Sequence, residues 1–121
     1  MAKVVFLTSD LMFSSRVGMT AKQSGVEMVL VVNAGQLPEK ITADCGLVLV
    51  DLSLERLNLP SVVQAARTAS PQAKVVAYGA HVDHAGLADA NDAGCDLVLT
   101  RNQFNQRFGE LLEMANKPSK S

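Results

Sequence analysis

Five short apolar runs punctuate the chain, rich in β-branched residues and free of the polar alternation that marks a half-exposed strand. They are Val4 to Thr8, Met28 to Val32, Leu47 to Val50, Val75 to Tyr78 and Leu97 to Leu99. Unbroken apolar strands are buried on both faces, which calls for a parallel sheet covered by helices on each side. The runs begin roughly twenty residues apart or more, enough for a crossover helix in each gap.

The gaps carry the matching helical signal. From Phe13, Val17 and Ala21 recur at four-residue spacing, and Gly25 stops the pattern where a helix end favours positive φ. Pro60-Ser61 opens a segment with Val62, Val63, Ala66 and Ala69 that ends at Ser70-Pro71. An alanine-rich stretch from about Val82 to Asp92 stops at Gly94. Phe104, Phe108, Leu111, Leu112 and Ala115 form one helical face, with Arg107, Glu110 and Glu113 outside it. The second gap, Ala34 to Gly46, holds Pro38 and two glycines and allows a short or irregular helix. Strands alternating with helices give an α/β doubly wound parallel sheet, and five βα units in 121 residues suit the flavodoxin-like (βα)5 order 2-1-3-4-5. The domain is placed at residues 1–115, and 116–121, polar and containing Pro118, is expected to be a disordered tail.

Charge and composition narrow the partners. Eleven Lys and Arg against twelve Asp and Glu give a formal charge of −1, no field for holding a phosphate backbone, so nucleic acid is not expected as a direct partner. No apolar run approaches the ~20 residues of a membrane span, and residues 1–7 lack a secretory cleavage pattern, which makes the cytoplasm the expected location. Cys45 and Cys95 have neither metal nor redox spacing and read as small buried hydrophobes, and the five methionines read as core filler.

Parallel sheets bind ligands at the carboxyl ends of their strands. Those ends carry Ser9 and Asp10, Asp51, Gly79-Ala80-His81, and Thr100-Arg101-Asn102. In the order 2-1-3-4-5 the first and third strands are neighbours, so Asp10 and Asp51 should approach each other with Arg101 nearby. Two carboxylates and a cation suit a metal-binding or phosphoryl-accepting pocket, because hard cations take oxygen ligands and a carboxylate can attack phosphorus to form an acyl phosphate.

Leu47-Val48-Leu49-Val50-Asp51-Leu52 and Ala93-Gly94-Cys95-Asp96-Leu97-Val98-Leu99-Thr100-Arg101, together with Asp10 and Arg16, resemble the response-regulator receiver domains of two-component signalling over residues 3 to about 115. The resemblance implies that Asp51 is the phosphoacceptor of a histidine kinase, that Asp10 and Asp51 hold Mg²⁺, and that Arg101, Gly79 and Ala80 line the phosphate pocket. It also implies docking through the fourth helix, fifth strand and fifth helix. The chain departs from the family at several of these places. Asp10 stands between Ser9 and Leu11 where receivers carry two adjacent acids, which weakens a Mg²⁺ site. Gly79 replaces the family's Thr or Ser and removes the hydroxyl of its conformational switch. Arg101 replaces its lysine, Asn102 the following proline, Val98 its aromatic switch residue, and Glu55 a proline.

The expectation is a stand-alone, non-enzymatic receiver-like protein, phosphorylated on Asp51 or acting as a pseudo-receiver through protein association. Its partner is a histidine kinase or other signalling protein, with a homodimer also admitted. Asp10 and Asp51 could instead serve as helix-cap and turn residues, and Arg101 could neutralise the pocket without metal. His81-Val82-Asp83-His84 falls outside the resemblance. Its alternative reading is a small-molecule or transition-metal ligand site of His81, Asp83 and His84; its plain reading is a loop in which Asp83 caps a helix.

Overall fold

The structure is a computed structural model that describes residues 3–116. Its strands are β1 (Lys3–Leu7), β2 (Glu27–Val31), β3 (Cys45–Asp51), β4 (Lys74–Gly79) and β5 (Leu97–Thr100). Its helices are α1 (Leu11–Gln23), α2 (Leu37–Lys40), α3 (Leu59–Ala69), α4 (His84–Asp92) and α5 (Arg101–Asn116). All pairings are parallel, in one five-stranded sheet of order β2-β1-β3-β4-β5, as the alternation of apolar runs and helical segments requires.

Side chains leave each strand alternately, so the sheet has two apolar faces. Val4 and Phe6 of β1 and Leu47 and Leu49 of β3 pack with Phe13, Val17, Phe104, Leu111 and Leu112 of α1 and α5. Val5, Leu7, Val48 and Val50 point the other way, onto Leu37, Val62, Ala66 and Ala90 of α2, α3 and α4. An aromatic cluster lies beneath the carboxyl edge on the α1–α5 side, with Tyr78 and Phe104 stacked at 4.3 Å and Phe13 edge-on to Phe104.

Local chemistry sets the helix ends. Asp10, Asn58 and Asp83 each accept a hydrogen bond from a first-turn N–H of α1, α3 and α4. Thr100 and Gln103 bond reciprocally at the start of α5, as a capping box does. α1 ends where Gly25, at φ 73°, lets the Val26 N–H return to the Ala21 carbonyl. A 3-10 turn at Ala34–Gln36 runs into the single turn of α2, with Pro38 in its first turn, so the second crossover is as short as its sequence allows.

Several expectations need correction. β2 is an edge strand with Leu30 36% exposed, and Val32 beyond it is 49% exposed, because no neighbouring strand covers that side. Val82 precedes α4, which begins at His84 after the Asp83 cap. Met12, Met19 and Met114 lie on the surface instead of filling the core. Asn116, assigned to the tail, is the last residue of α5, and the remainder of that segment lies outside the described residues. Cys45 and Cys95 are buried free thiols, and burial pushes Cys95 up to about 11. Among the described residues no helix is long and apolar enough to cross a membrane.

Candidate functional site

The strand order and register bring the site together. Leu7 of β1 pairs with Val50 of β3, so the residues that follow, Thr8 and Asp51, come to lie side by side at the carboxyl edge. Asp51 is 2% exposed. Burying a carboxylate is costly unless donors replace its water, and three do so here. The Thr8 hydroxyl donates to Oδ2 at 2.6 Å. Ser53 donates twice to Oδ1, from its backbone N–H at 2.9 Å and its hydroxyl at 2.6 Å. The Ser53 contacts are an Asx turn, in which the aspartate side chain captures the N–H two residues on.

Asp10 is engaged on both oxygens. Oδ1 accepts from the Phe13 N–H at 3.0 Å and so caps α1. Oδ2 accepts from Arg101 Nη2 at 2.7 Å. The Phe13 N–H and, after it, the guanidinium hold the Asp10 carboxyl below the usual aspartate range. The ion pair in turn raises Arg101 above the usual arginine value. The backbone N–H of Asp10 donates to the Thr8 hydroxyl at 3.0 Å, so Arg101, Asp10, Thr8 and Asp51 form one chain of contacts. Arg101 also lies 4.9 Å from the centre of the Phe13 ring, and Arg16 lies over the same ring at 5.6 Å. The hydroxyl of Tyr78 is buried with no hydrogen bond among the described residues, and burial, then the nearby Asp51 charge, pushes its pKa far up.

Asp10, Asp51 and Arg101 therefore share one edge, but as a closed arrangement. Thr8 links the Asp51 carboxylate to the backbone N–H of Asp10, and the cation beside the Asp10 carboxylate is a guanidinium. A divalent ion bridging the pair would have to displace that guanidinium and compete with the donors on both carboxylates; the side chains as placed do not fit the Mg²⁺ that the resemblance implies. Gly79 is buried beneath Leu52, whose Cδ1 lies 3.2 Å from where a Cβ would stand. Ala80 and His81 reach a crevice of about 450 Å³ that also takes in Arg101, Arg16, Asn102 and Asn105. The metal set of His81, Asp83 and His84 does not assemble. Asp83 turns its Oδ1 to the Gly86 N–H at 3.0 Å to cap α4, and no three His, Cys, Asp or Glu side chains gather for a metal among the described residues.

Thr8, Ser53 and Arg16 as a site residue were missed. Ser53 was open to discovery as the hydroxyl two residues after a strand-end aspartate. Thr8 becomes identifiable once the register of β1 on β3 is known, and Arg16 once α1 is set against α5.

No protein-family model matches the chain, and no curated protein matches it. Solved structures do. The receiver domain of the TMAO respiratory response regulator TorR is similar with a TM-score of 0.76 at 18% identity, over 95% of this chain and 99% of that one. A CheY-like receiver domain protein from Methanospirillum hungatei JF-1 gives 0.74 at 16% identity, over 96% and 97%. The receiver domain of a sensor histidine kinase from Pseudomonas aeruginosa PAO1, crystallised with magnesium in its active-site cleft, gives 0.70 at 13% identity, over 92% and 97%. At these identities the likeness establishes the fold, the CheY-like receiver fold, and leaves the chemistry of the carboxyl edge to the side chains found there.

Proposed function

We propose that this chain is a response-regulator receiver-like signalling domain of the pseudo-receiver kind, which works by associating with other proteins while its acceptor-position aspartate stays closed. The observation that carries this reading is the coordination of Asp51: 2% exposed, with both oxygens bound by Thr8 and Ser53. To accept a phosphoryl group, a carboxylate oxygen must reach phosphorus in line, and a cation must neutralise the incoming oxygens. Asp51 Oδ1 already accepts two hydrogen bonds, and Arg101, at the same sheet edge, is bound to Asp10.

The reading supports a non-catalytic role in the cytoplasm, with a histidine kinase, another signalling protein or a second copy as partner. By resemblance to receivers, the surface of α4, β5 and α5 is the first to examine for contacts. Mg²⁺ enters as a property of the similar kinase receiver, and no step here is routed through it. Incubation with a small phosphodonor and Mg²⁺, followed by intact-mass measurement, tests the proposal: the mass stays unchanged. An increment that disappears in Asp51→Asn would make Asp51 a working phosphoacceptor and overturn the closed-pocket reading.

A further inference from the structure

We infer that the crevice between α1, the β4–α4 loop and the first turn of α5 is a noncovalent binding site for a small dianionic oxyanion, either a phosphate monoester or a dicarboxylate. It lies beside the closed aspartate and does not use it. Two guanidinium groups define the site, Arg16 from α1 and Arg101 from α5, both held over the ring of Phe13 at 5.6 and 4.9 Å. Phe13 is 6% exposed and fixed in the aromatic cluster, so the arginines rest on a rigid floor and lose less freedom on binding than two free surface side chains would.

The accounting of donors gives the ligand its sign. Each guanidinium carries five N–H groups in a planar fork that matches carboxylate or phosphate oxygens. Among the described residues Arg101 spends Nη2 on Asp10, and Arg16 makes no side-chain hydrogen bond or ion pair. His81, Asn102 and Asn105 also line the crevice, and no acidic residue is among its lining residues: the Asp10 carboxylate offsets part of the Arg101 charge, and Arg16 has no acidic partner among the described residues. Arg101 and Asn105 are one helical turn apart on α5 and face the same space. The volume of about 450 Å³ suits a small molecule. A nucleic acid needs a wide basic surface, which a chain with balanced charges does not supply.

Amide chemical shifts followed during titration with inorganic phosphate, and separately with succinate, test the site. The expected result is a saturable shift around Ala80–His81 and Asn102–Asn105, complete by about 20 mM ligand. Arg16→Gln weakens it about tenfold, whereas Arg56→Gln, remote from the crevice, leaves it unchanged. Comparing the two anions shows which oxyanion is preferred. Absence of a saturable shift with both probes, or equal weakening in Arg56→Gln, which would mean charge screening alone, overturns the inference. Shifts centred on Thr8 and Asp51 and abolished in Asp51→Asn would place the anion in the aspartate pocket. That outcome overturns this site and, separately, counts against the closed-pocket reading.

Discussion

A single hydroxyl, on Thr8, is the only donor to Oδ2 of the buried Asp51 among the described residues, at 2.6 Å. Thr8→Val keeps the shape and removes the donor, leaving part of a buried carboxylate unsatisfied, and should cost about 1–3 kcal/mol. The urea midpoint should fall at unchanged slope, and Thr8→Ser should retain most of the stability. In an Asp51→Leu background the same substitution should cost much less; an equal cost would assign the effect to packing. Asp10 gives a pH signature. Its folded pKa lies below the ordinary 3.8 because the Phe13 N–H and then Arg101 favour the charged form. A depressed folded value contributes stability that is present above the unfolded pKa and lost as pH falls through the folded one. Stability should therefore decline as pH drops below about 4. Asp10→Asn, which keeps a capping side chain but loses the ion pair, should decline less over that interval, as read by unfolding at stepped pH. Asp10, Asp51 and Arg101 were legible because charges at the ends of apolar runs stand out. Thr8 was not, since a threonine closing a strand is unremarkable until a neighbouring strand sets a carboxylate against it.

Elements depend on close approaches that no local pattern encodes. Gly46 falls in the second crossover by sequence, yet it lies inside β3, where a Cβ would stand 2.8 Å from the Ala115 carbonyl oxygen. That neighbour is backbone at the end of α5 and cannot rotate away. Gly46→Ala should push the last turn of α5 off the sheet, loosening Leu111, Leu112 and Ala115, at about 1–3 kcal/mol. Gly109→Ala on the same helix meets only Thr20 Cγ2 at 4.0 Å and should stabilise by about 0.5–1 kcal/mol through helix propensity. Thermal unfolding of both variants checks the contrast, and equal shifts would refute the contact. The elements themselves were readable where periodicity and punctuation agreed: α1 before Gly25, α3 from Leu59 with Pro60 in its first turn, α5 with its apolar face. The exposure of β2 follows from the order 2-1-3-4-5, which makes it an edge strand, and not from its own apolar run, which reads like that of a central strand.

At the scale of the molecule, the doubly wound order sets β1 beside β3 and delivers Asp10, Asp51 and Arg101 to one edge, as the alternation of runs and helices implies. It does not decide whether that edge is open to a metal. That depends on which donors reach the carboxylates first, and here Thr8, Ser53 and Arg101 do. The distinction has a global readout, because a ligand that binds the folded state alone raises its stability by RT ln(1 + [L]/Kd). Mg²⁺ at about ten times its Kd would add about 1.4 kcal/mol and lift the thermal midpoint by a few degrees. The wild-type midpoint should not move between chelator and about 10 mM Mg²⁺ beyond the shift seen with an equivalent ionic strength of sodium salt. Arg101→Ala frees Asp10 Oδ2 from its guanidinium, and in that variant Mg²⁺ should become stabilising. A rise in the wild type that matches or exceeds the rise in Arg101→Ala would mean that the dication reaches the acidic pair despite the ion pair, and the closed arrangement would not be what governs this edge in solution.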